Sequence, residues 1–159
     1  MAPYPGDVAY ITAEARQQLL DDLAGAIEAI GDALAALGAA YELLDEQTAD
    51  RMEELLFRPV QQAYGRAQRT HTSFAERYSL PVRTFPPGRS GSTSGGARAL
   101  LDRAVDCIDE ADDALVELQD SMMPVEVGDA ELRAGLAAVR GLVEEVRDRS
   151  RDVLRTLGR

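Results

Sequence analysis

Apolar residues recur every three or four positions along four long stretches of the chain, the spacing that gives a helix one apolar side. These stretches run from Leu20 to Leu44, Met52 to Tyr78, Leu101 to Met122 and Leu132 to Leu157. Helices with this spacing pack side by side at small angles. The pattern therefore predicts an all-α fold, a single antiparallel four-helix bundle over residues 12–159.

Residues typical of helix ends refine these boundaries. Thr12 and Asp129 precede the first and fourth helices, and both are predicted to cap free backbone N–H groups. Residues before Thr12 then form an N-terminal arm, residues 1–11. This arm is predicted to pack on the bundle through one or more of three residues, Tyr4, Tyr10 and Ile11.

Two regions interrupt the helical pattern. Pro59 lies within the second helix, and because proline lacks an N–H and crowds the preceding turn, it predicts a kink. Residues 79–96 are rich in Pro, Gly and Ser and cannot continue a helix, so they predict a long, flexible connection between helices two and three. At about 3.3 Å per residue this connection can cross the bundle, so a hairpin and a crossover both remain open.

Composition narrows the classes of function. The chain has 159 residues and a formal net charge of -11, and all 17 basic residues are arginines. This charge argues against binding to nucleic acid or to an anionic membrane surface. Cys107 is the single cysteine and no secretory signal is present, so we expect a cytoplasmic protein without disulfides. The longest apolar run, residues 33–41, is too short to span a bilayer.

Positive charge collects in the middle of this acidic chain. Between Arg51 and Arg98 there are eight arginines and only three acidic residues. At 100° per residue, five of them fall on one side of the second helix, away from its apolar residues. We call these five the arginine stripe: Arg51, Arg58, Arg66, Arg69 and Arg77. Guanidinium groups in such a row suit an acidic protein partner or an anionic small ligand, unless a neighbouring acidic helix or water satisfies them.

The third helix has the opposite character, because carboxylates occupy the side away from its apolar residues. Divalent cations prefer carboxylate oxygens, which makes four of these residues weak candidates for a metal site. They are Asp106, Asp109, Glu110 and Asp113. No loop is present to wrap an ion, so we predict no metal and no cofactor, and an acidic face that is hydrated or contacts arginines.

His71 is the only histidine, and it lies at the edge of the apolar side of the second helix. A pocket between helices near His71, lined by Tyr64 and Phe74, is the basis for an alternative hypothesis, a small-ligand-binding or enzymatic bundle. No convergent set of catalytic groups supports it. The favoured hypothesis is a non-enzymatic interaction or regulatory module, either with another protein or as a homodimer. It would act through the arginine stripe or the acidic face of the third helix.

Overall fold

The computed structural model describes the backbone of residues 5–157 and the side chains of residues 11–156. Within these residues all regular structure is helical and no strand is present, so the all-α prediction is confirmed. The helices are α1 (Pro5–Tyr41), α2 (Glu46–Met52), a π-helical turn (Glu53–Phe57), α3 (Arg58–Arg77), α4 (Gly96–Asp120), α5 (Met123–Glu126) and α6 (Ala130–Leu157).

The first helix begins at Pro5, seven residues before the predicted cap Thr12. Proline suits the first turn of a helix, where its missing N–H would have no partner anyway. Residues 5–11 of the predicted arm therefore continue α1, and Ile11 is 59% exposed. The predicted contacts of Tyr4 and Tyr10 lie outside the described side chains.

The backbone stays helical through Pro59 by widening just before it. The N–H of Arg58 donates to the carbonyl of Glu53, five residues back, so this turn is π-helical. Pro59 follows in the first turn of α3, where its ring no longer meets a regular α-helical turn. The interruption predicted at Pro59 is thus a π turn between α2 and α3.

The core is built around α1, which lies against α3 and α4, while α6 lies against the other side of these two helices. Leucine, isoleucine, valine and alanine supply most of the buried side chains, and Phe74 is the largest of them. Most of the apolar side chains predicted from the 3-4 spacing are therefore buried between four long helices, whereas Tyr41 and Met122 at helix ends are exposed.

One property of α1 was missed by counting only uninterrupted apolar runs. Residues Ile11–Tyr41 are long and apolar enough to cross a membrane by length and composition alone. Most of the apolar window is buried inside the protein, as in the core helix of a soluble protein, which passes the same test. The finding is weak evidence for a membrane span.

The connection between α3 and α4, residues 79–95, contains no helix and runs along α1. We call it the strap. Arg83 of the strap forms an ion pair with Glu28, and the backbone N–H of Arg89 donates to Oδ1 of Asp32 at 2.8 Å. Phe85 packs against the core. The strap is thus anchored at successive turns of α1.

Gly88 brings the strap into direct contact with the α1 backbone. A Cβ atom at Gly88 would lie 2.2 Å from the carbonyl carbon and oxygen of Gly31. Because these are backbone atoms, they cannot move aside as a flexible side chain could. A Cβ at Gly31 would in turn meet the ring of Tyr64 at 3.1 Å. Glycine at both positions lets the strap, α1 and α3 meet closely.

Candidate functional site

Four residues of the arginine stripe have no carboxylate within ion-pairing distance among the described side chains. They are Arg51, Arg58, Arg66 and Arg69. Arg51, Arg58 and Arg69 are exposed, and Arg66 is half-buried. The acidic helix α4 does not neutralise them, because α3 packs mainly on α1 and α6. These four guanidinium groups are available to a partner.

Arg77, the fifth member of the stripe, is used inside the protein. Its Nε and Nη2 donate to the two carboxylate oxygens of Asp129 at 2.7 and 2.8 Å, and its Nη1 lies 2.9 Å from Glu131. The hydrogen bonds from Arg77 hold the pKa of the Asp129 carboxyl below its usual value, while burial opposes this shift. Asp129 also accepts from the N–H of Leu132 at 2.8 Å, which confirms its predicted role as the cap of α6.

A cleft of about 550 Å³ opens beside α3 next to the unpaired arginines. We call it the α3 cleft. It is lined by Arg66, Gln68, Arg69, Thr70, Thr72, Ser73, Glu76, Arg77 and Glu131. All but the last of these residues belong to α3, so a single helix supplies nearly every group that a ligand would meet.

Close packing of α6 on α3 forms the base of the α3 cleft. A Cβ at Gly135 would lie 2.3 Å from the hydroxyl oxygen of Thr70, so the glycine is what allows the two helices to approach here. The Thr70 hydroxyl donates to the carbonyl of Arg66 at 2.8 Å. Ser73 accepts from Arg77 at 2.6 Å and donates to Glu131 at 3.2 Å.

Arg66 carries an unsatisfied buried donor at this cleft. Its Nε atom is buried and has no hydrogen-bond partner among the described residues. Two other arginines share this feature at Nε, but Arg103 donates through Nη2 to the carbonyl of Arg89, and Arg140 donates to Gln119 and Glu144. The Arg66 guanidinium forms no hydrogen bond with the side chains and backbone that the structure describes, and a buried donor such as its Nε costs about 1–3 kcal/mol when it is left unpaired.

His71 and Phe74 do not line a pocket, contrary to the geometry assumed by the alternative hypothesis. His71 is 2% exposed, and its ring packs edge-on against Phe85 of the strap with 5.3 Å between centroids. Burial lowers the pKa of His71, and a hydrogen bond with the backbone of Leu20 acts in the opposite direction. Phe74 is fully buried and contacts Tyr78. A buried neutral imidazole with no access to a cleft is poorly placed for catalysis.

Tyr64, the third residue of the predicted pocket, does line an open groove. The groove has a volume of about 510 Å³ and lies between α1, α3 and the strap. Its walls carry the rings of Phe57, Tyr64 and Phe85, and Gly31 and Gly38 of α1 also line it. We call it the aromatic groove. Partial burial raises the pKa of the Tyr64 hydroxyl, and Asp32 acts in the same direction.

The four metal candidates on α4 do not converge. Asp106, Glu110 and Asp113 are exposed, and Asp109 is occupied by an ion pair with Arg147 at 2.8 Å. Within residues 11–156, no group of three or more His, Cys, Asp or Glu side chains is arranged to hold a metal ion. The outward carboxylates are instead a broad acidic surface.

Sequence reasoning missed the one carboxylate of α4 that is buried. Asp112 is 5% exposed; its Oδ2 accepts from Arg147 at 2.8 Å, and its Oδ1 lies 3.5 Å from Nε of Arg140. Arg140 and Arg147 are seven residues apart on α6, so both project toward α4. Two features of the sequence could have indicated this network. They are the heptad spacing of Arg140 and Arg147, and the position of Asp112 beside the apolar side of α4.

No protein-family model, curated protein or solved structure matches this chain.

Proposed function

We propose that α1, α3, α4 and α6 form one antiparallel four-helix bundle, in which α1 and α6 run in one direction and α3 and α4 in the other. The supporting contacts join opposite ends of neighbouring helices. Arg77 at the end of α3 binds Asp129 just before α6. Arg98 near the start of α4 donates to the carbonyl of Leu154 near the end of α6. The strap then crosses the length of the bundle.

A substitution at Gly88 tests this path of the strap. Because a Cβ there would collide with the α1 backbone, Gly88→Ala is expected to destabilise the fold by about 1–3 kcal/mol in chemical denaturation. Gly25→Ala is the matched control: its Cβ would meet nothing within 4 Å, and alanine favours a helix. Equal effects of the two substitutions would contradict a strap seated on Gly31.

We propose further that the protein is a non-enzymatic interaction module, which binds an acidic partner through the unpaired arginines of the stripe. The observation that supports this function is that these arginines, within residues 11–156, lack the carboxylate partners that other arginines of the protein have. Among the described residues, seven other arginines form ion pairs with carboxylates, and three more donate to backbone carbonyls. The described side chains without either kind of partner are those of Arg51, Arg58, Arg66, Arg69, Arg89 and Arg151, and only the first four lie together on one helical segment. In a chain with 28 acidic residues, four unpaired guanidinium groups along one side of one helical segment favour an external anion.

Affinity capture from the native host tests this function. The bait variant carries Arg58→Glu, Arg66→Glu and Arg69→Glu, and omits Arg77 because that residue holds Asp129. A control bait with the same charge change carries Arg89→Glu, Arg151→Glu and Arg155→Glu. The proposal expects a partner that the wild type and control recover and the stripe variant loses, with all three baits folded by circular dichroism. Equal recovery by both variants would reject the stripe as the binding surface.

A second copy of the chain is one acidic partner that these charges suit, since the exposed carboxylates of α4 have the opposite sign to the stripe. Light scattering at low and high salt distinguishes self-association from binding to another protein. A dimer that dissociates in the stripe variant would make the partner a second copy. A monomer at all salt concentrations would remove this possibility.

The alternative function, a small-ligand-binding bundle, is favoured by the aromatic groove. Three aromatic rings beside two glycines of α1 give the apolar walls and volume of a small-molecule site. The expected ligand is flat and apolar with a polar atom that reaches Tyr64 or Gln68. Screening planar aromatic compounds by thermal shift tests it, with Tyr64→Ala as the variant that should lose the response. The absence of nucleic-acid and membrane partners remains a prediction from charge, and a cytoplasmic location remains a prediction from the single cysteine and the lack of a secretory signal.

A further inference from the structure

We infer that the α3 cleft binds a phosphate group, held by Arg66 and Arg69 with Gln68 and Thr72 beside them. This inference rests on the proposed function, because it specifies the acidic group that the stripe recognises. Of the four unpaired arginines in the stripe, Arg66 and Arg69 line the cleft, whereas Arg51 and Arg58 lie outside it.

The unpartnered Nε of Arg66 is the first observation that points to a ligand. Buried polar groups nearly always have a partner, and an exception calls for a specific explanation such as a bound ion. Arg66 lines the cleft, and its guanidinium forms no hydrogen bond with the described residues. An anion in the cleft would supply the counter-charge that this guanidinium lacks among the described residues.

Arg69 supplies the second positive group. A Cβ atom at Gly65 would lie 3.2 Å from Nη1 of Arg69, so the Arg69 guanidinium folds back over the turn that contains Gly65 and Arg66. The glycine leaves room for that conformation. Residues 66 and 69 are neighbours on the surface of a helix, so two guanidinium groups are available to a single anion.

Phosphate fits this donor set better than carboxylate does. Two guanidinium groups, one side-chain amide and one hydroxyl offer more donors than the two oxygens of a carboxylate accept comfortably. A phosphate monoester has three terminal oxygens and a charge of about -1.5 to -2 at pH 7. Arginine is suited to such groups because it donates two parallel hydrogen bonds.

Carboxylates at the edge of the cleft act against an anion. Arg77 neutralises Glu131 through their 2.9 Å ion pair, but Glu76 is exposed and has no ion pair among the described residues. Glu76 therefore lowers the affinity for phosphate without blocking the cleft. Removal of the Glu76 carboxylate is expected to tighten phosphate binding. A nonspecific loss of structure would not produce that result.

Calorimetric titration of the full chain with inorganic phosphate, at constant ionic strength and with acetate as the carboxylate probe, tests the inference. Saturable binding of phosphate and none of acetate is expected. Arg66→Gln and Arg69→Gln should each weaken phosphate binding by about tenfold. Arg89→Gln should leave it unchanged, and Glu76→Gln should strengthen it by about two- to threefold.

A phosphoserine peptide and a nucleoside monophosphate then identify the source of the phosphate. The site is supported by binding of either, and the tighter ligand distinguishes a phosphorylated protein from a free phosphate. Absence of saturable phosphate binding, equal binding of acetate, or an unchanged affinity in Arg66→Gln would overturn the inference.

The affinity-capture experiment with the stripe variant distinguishes a failure of the phosphate site from a failure of the proposed function. If the stripe still captures a partner but phosphate does not bind, the phosphate site is wrong and the interaction module stands. If phosphate binds but no partner depends on the stripe, the site is right and the protein-interaction function is wrong.

Discussion

The interface between α4 and α6 and the outer face of α3 use the same residue type in opposite ways. At the interface, Arg140 and Arg147 converge on the buried carboxylate of Asp112, and Arg147 also binds Asp109. On α3, Arg58, Arg66 and Arg69 meet no carboxylate among the described residues. The acidic residues of the chain are numerous enough to pair with all of them.

The difference arises from which helix lies opposite each arginine. Arg140 and Arg147 project from α6 toward α4, which presents a carboxylate at the matching level. The stripe projects from α3 on the side that α1 does not cover, and α6 reaches only Arg77 there. Arginine thus stabilises the fold where the chain supplies a partner, and remains free for a ligand where the chain does not.

Removing Asp112 should have the largest effect on the paired region. Asp112→Ala removes the buried carboxylate that Arg140 and Arg147 share. Each arginine keeps one partly exposed partner, Glu144 or Asp109. We expect a loss of about 2–3 kcal/mol in the free energy of unfolding, measured by urea titration. Asp113→Ala, an exposed neighbour on α4, should change stability by less than about 0.5 kcal/mol. Similar values for the two variants would mean that the buried network does not exist.

Asp129 provides the next test, since it combines a helix cap with the ion pair to Arg77. Asp129→Ala should lower stability by about 2 kcal/mol, because it removes both interactions. Asp129→Asn keeps an oxygen for the cap and should lose only about half as much.

The same residue makes a pH prediction. Since the folded state lowers the pKa of Asp129, its contribution is complete above the pKa of the unfolded chain, about 3.9. The contribution is lost as pH falls through the lower folded value. Asp129→Asn should therefore be destabilised relative to wild type by a constant amount between about pH 6 and about pH 4, and should approach wild type only as the pH falls further. A difference that does not shrink below about pH 4 would contradict the ion pair.

Substitution in the unpaired region should have the smallest effect on stability. Arg66→Met keeps an apolar stem of similar length and removes the unsatisfied donor, so the free energy of unfolding should stay within about 0.5 kcal/mol of wild type or increase. Thermal and urea denaturation measure this. A loss above about 2 kcal/mol would show that Arg66 is satisfied within the fold and is not free for an anion.

Sequence reasoning predicted the helical fold because the 3-4 spacing of leucine, alanine and valine records burial directly. Asp129 was found for a similar reason, since a cap depends on its immediate neighbours along the chain. The stripe was also visible, because residues on one helix face are related by local spacing. All three features depend on relations within one helix.

Features that depend on contacts between elements were not predicted. Arg77 belongs to the stripe by spacing, but its pairing with Asp129 depends on how α3 ends beside α6. His71 and Phe74 lie in the apolar pattern of the second helix, but the contact of His71 with Phe85 of the strap depends on the path of the strap, which no local pattern encodes. Asp112 resembled its exposed neighbours in sequence, and only its position opposite two arginines of α6 distinguishes it.

NMR of arginine side chains tests most directly whether the fold leaves Arg58, Arg66 and Arg69 free while it binds Arg77 and Arg147. Rotation about the Nε–Cζ bond slows when a guanidinium is held by two hydrogen bonds. Slow rotation is expected for Arg77 and Arg147, and fast rotation for Arg58 and Arg69. Rotation of Arg58 and Arg69 as slow as that of Arg77, in the protein alone, would contradict this expectation.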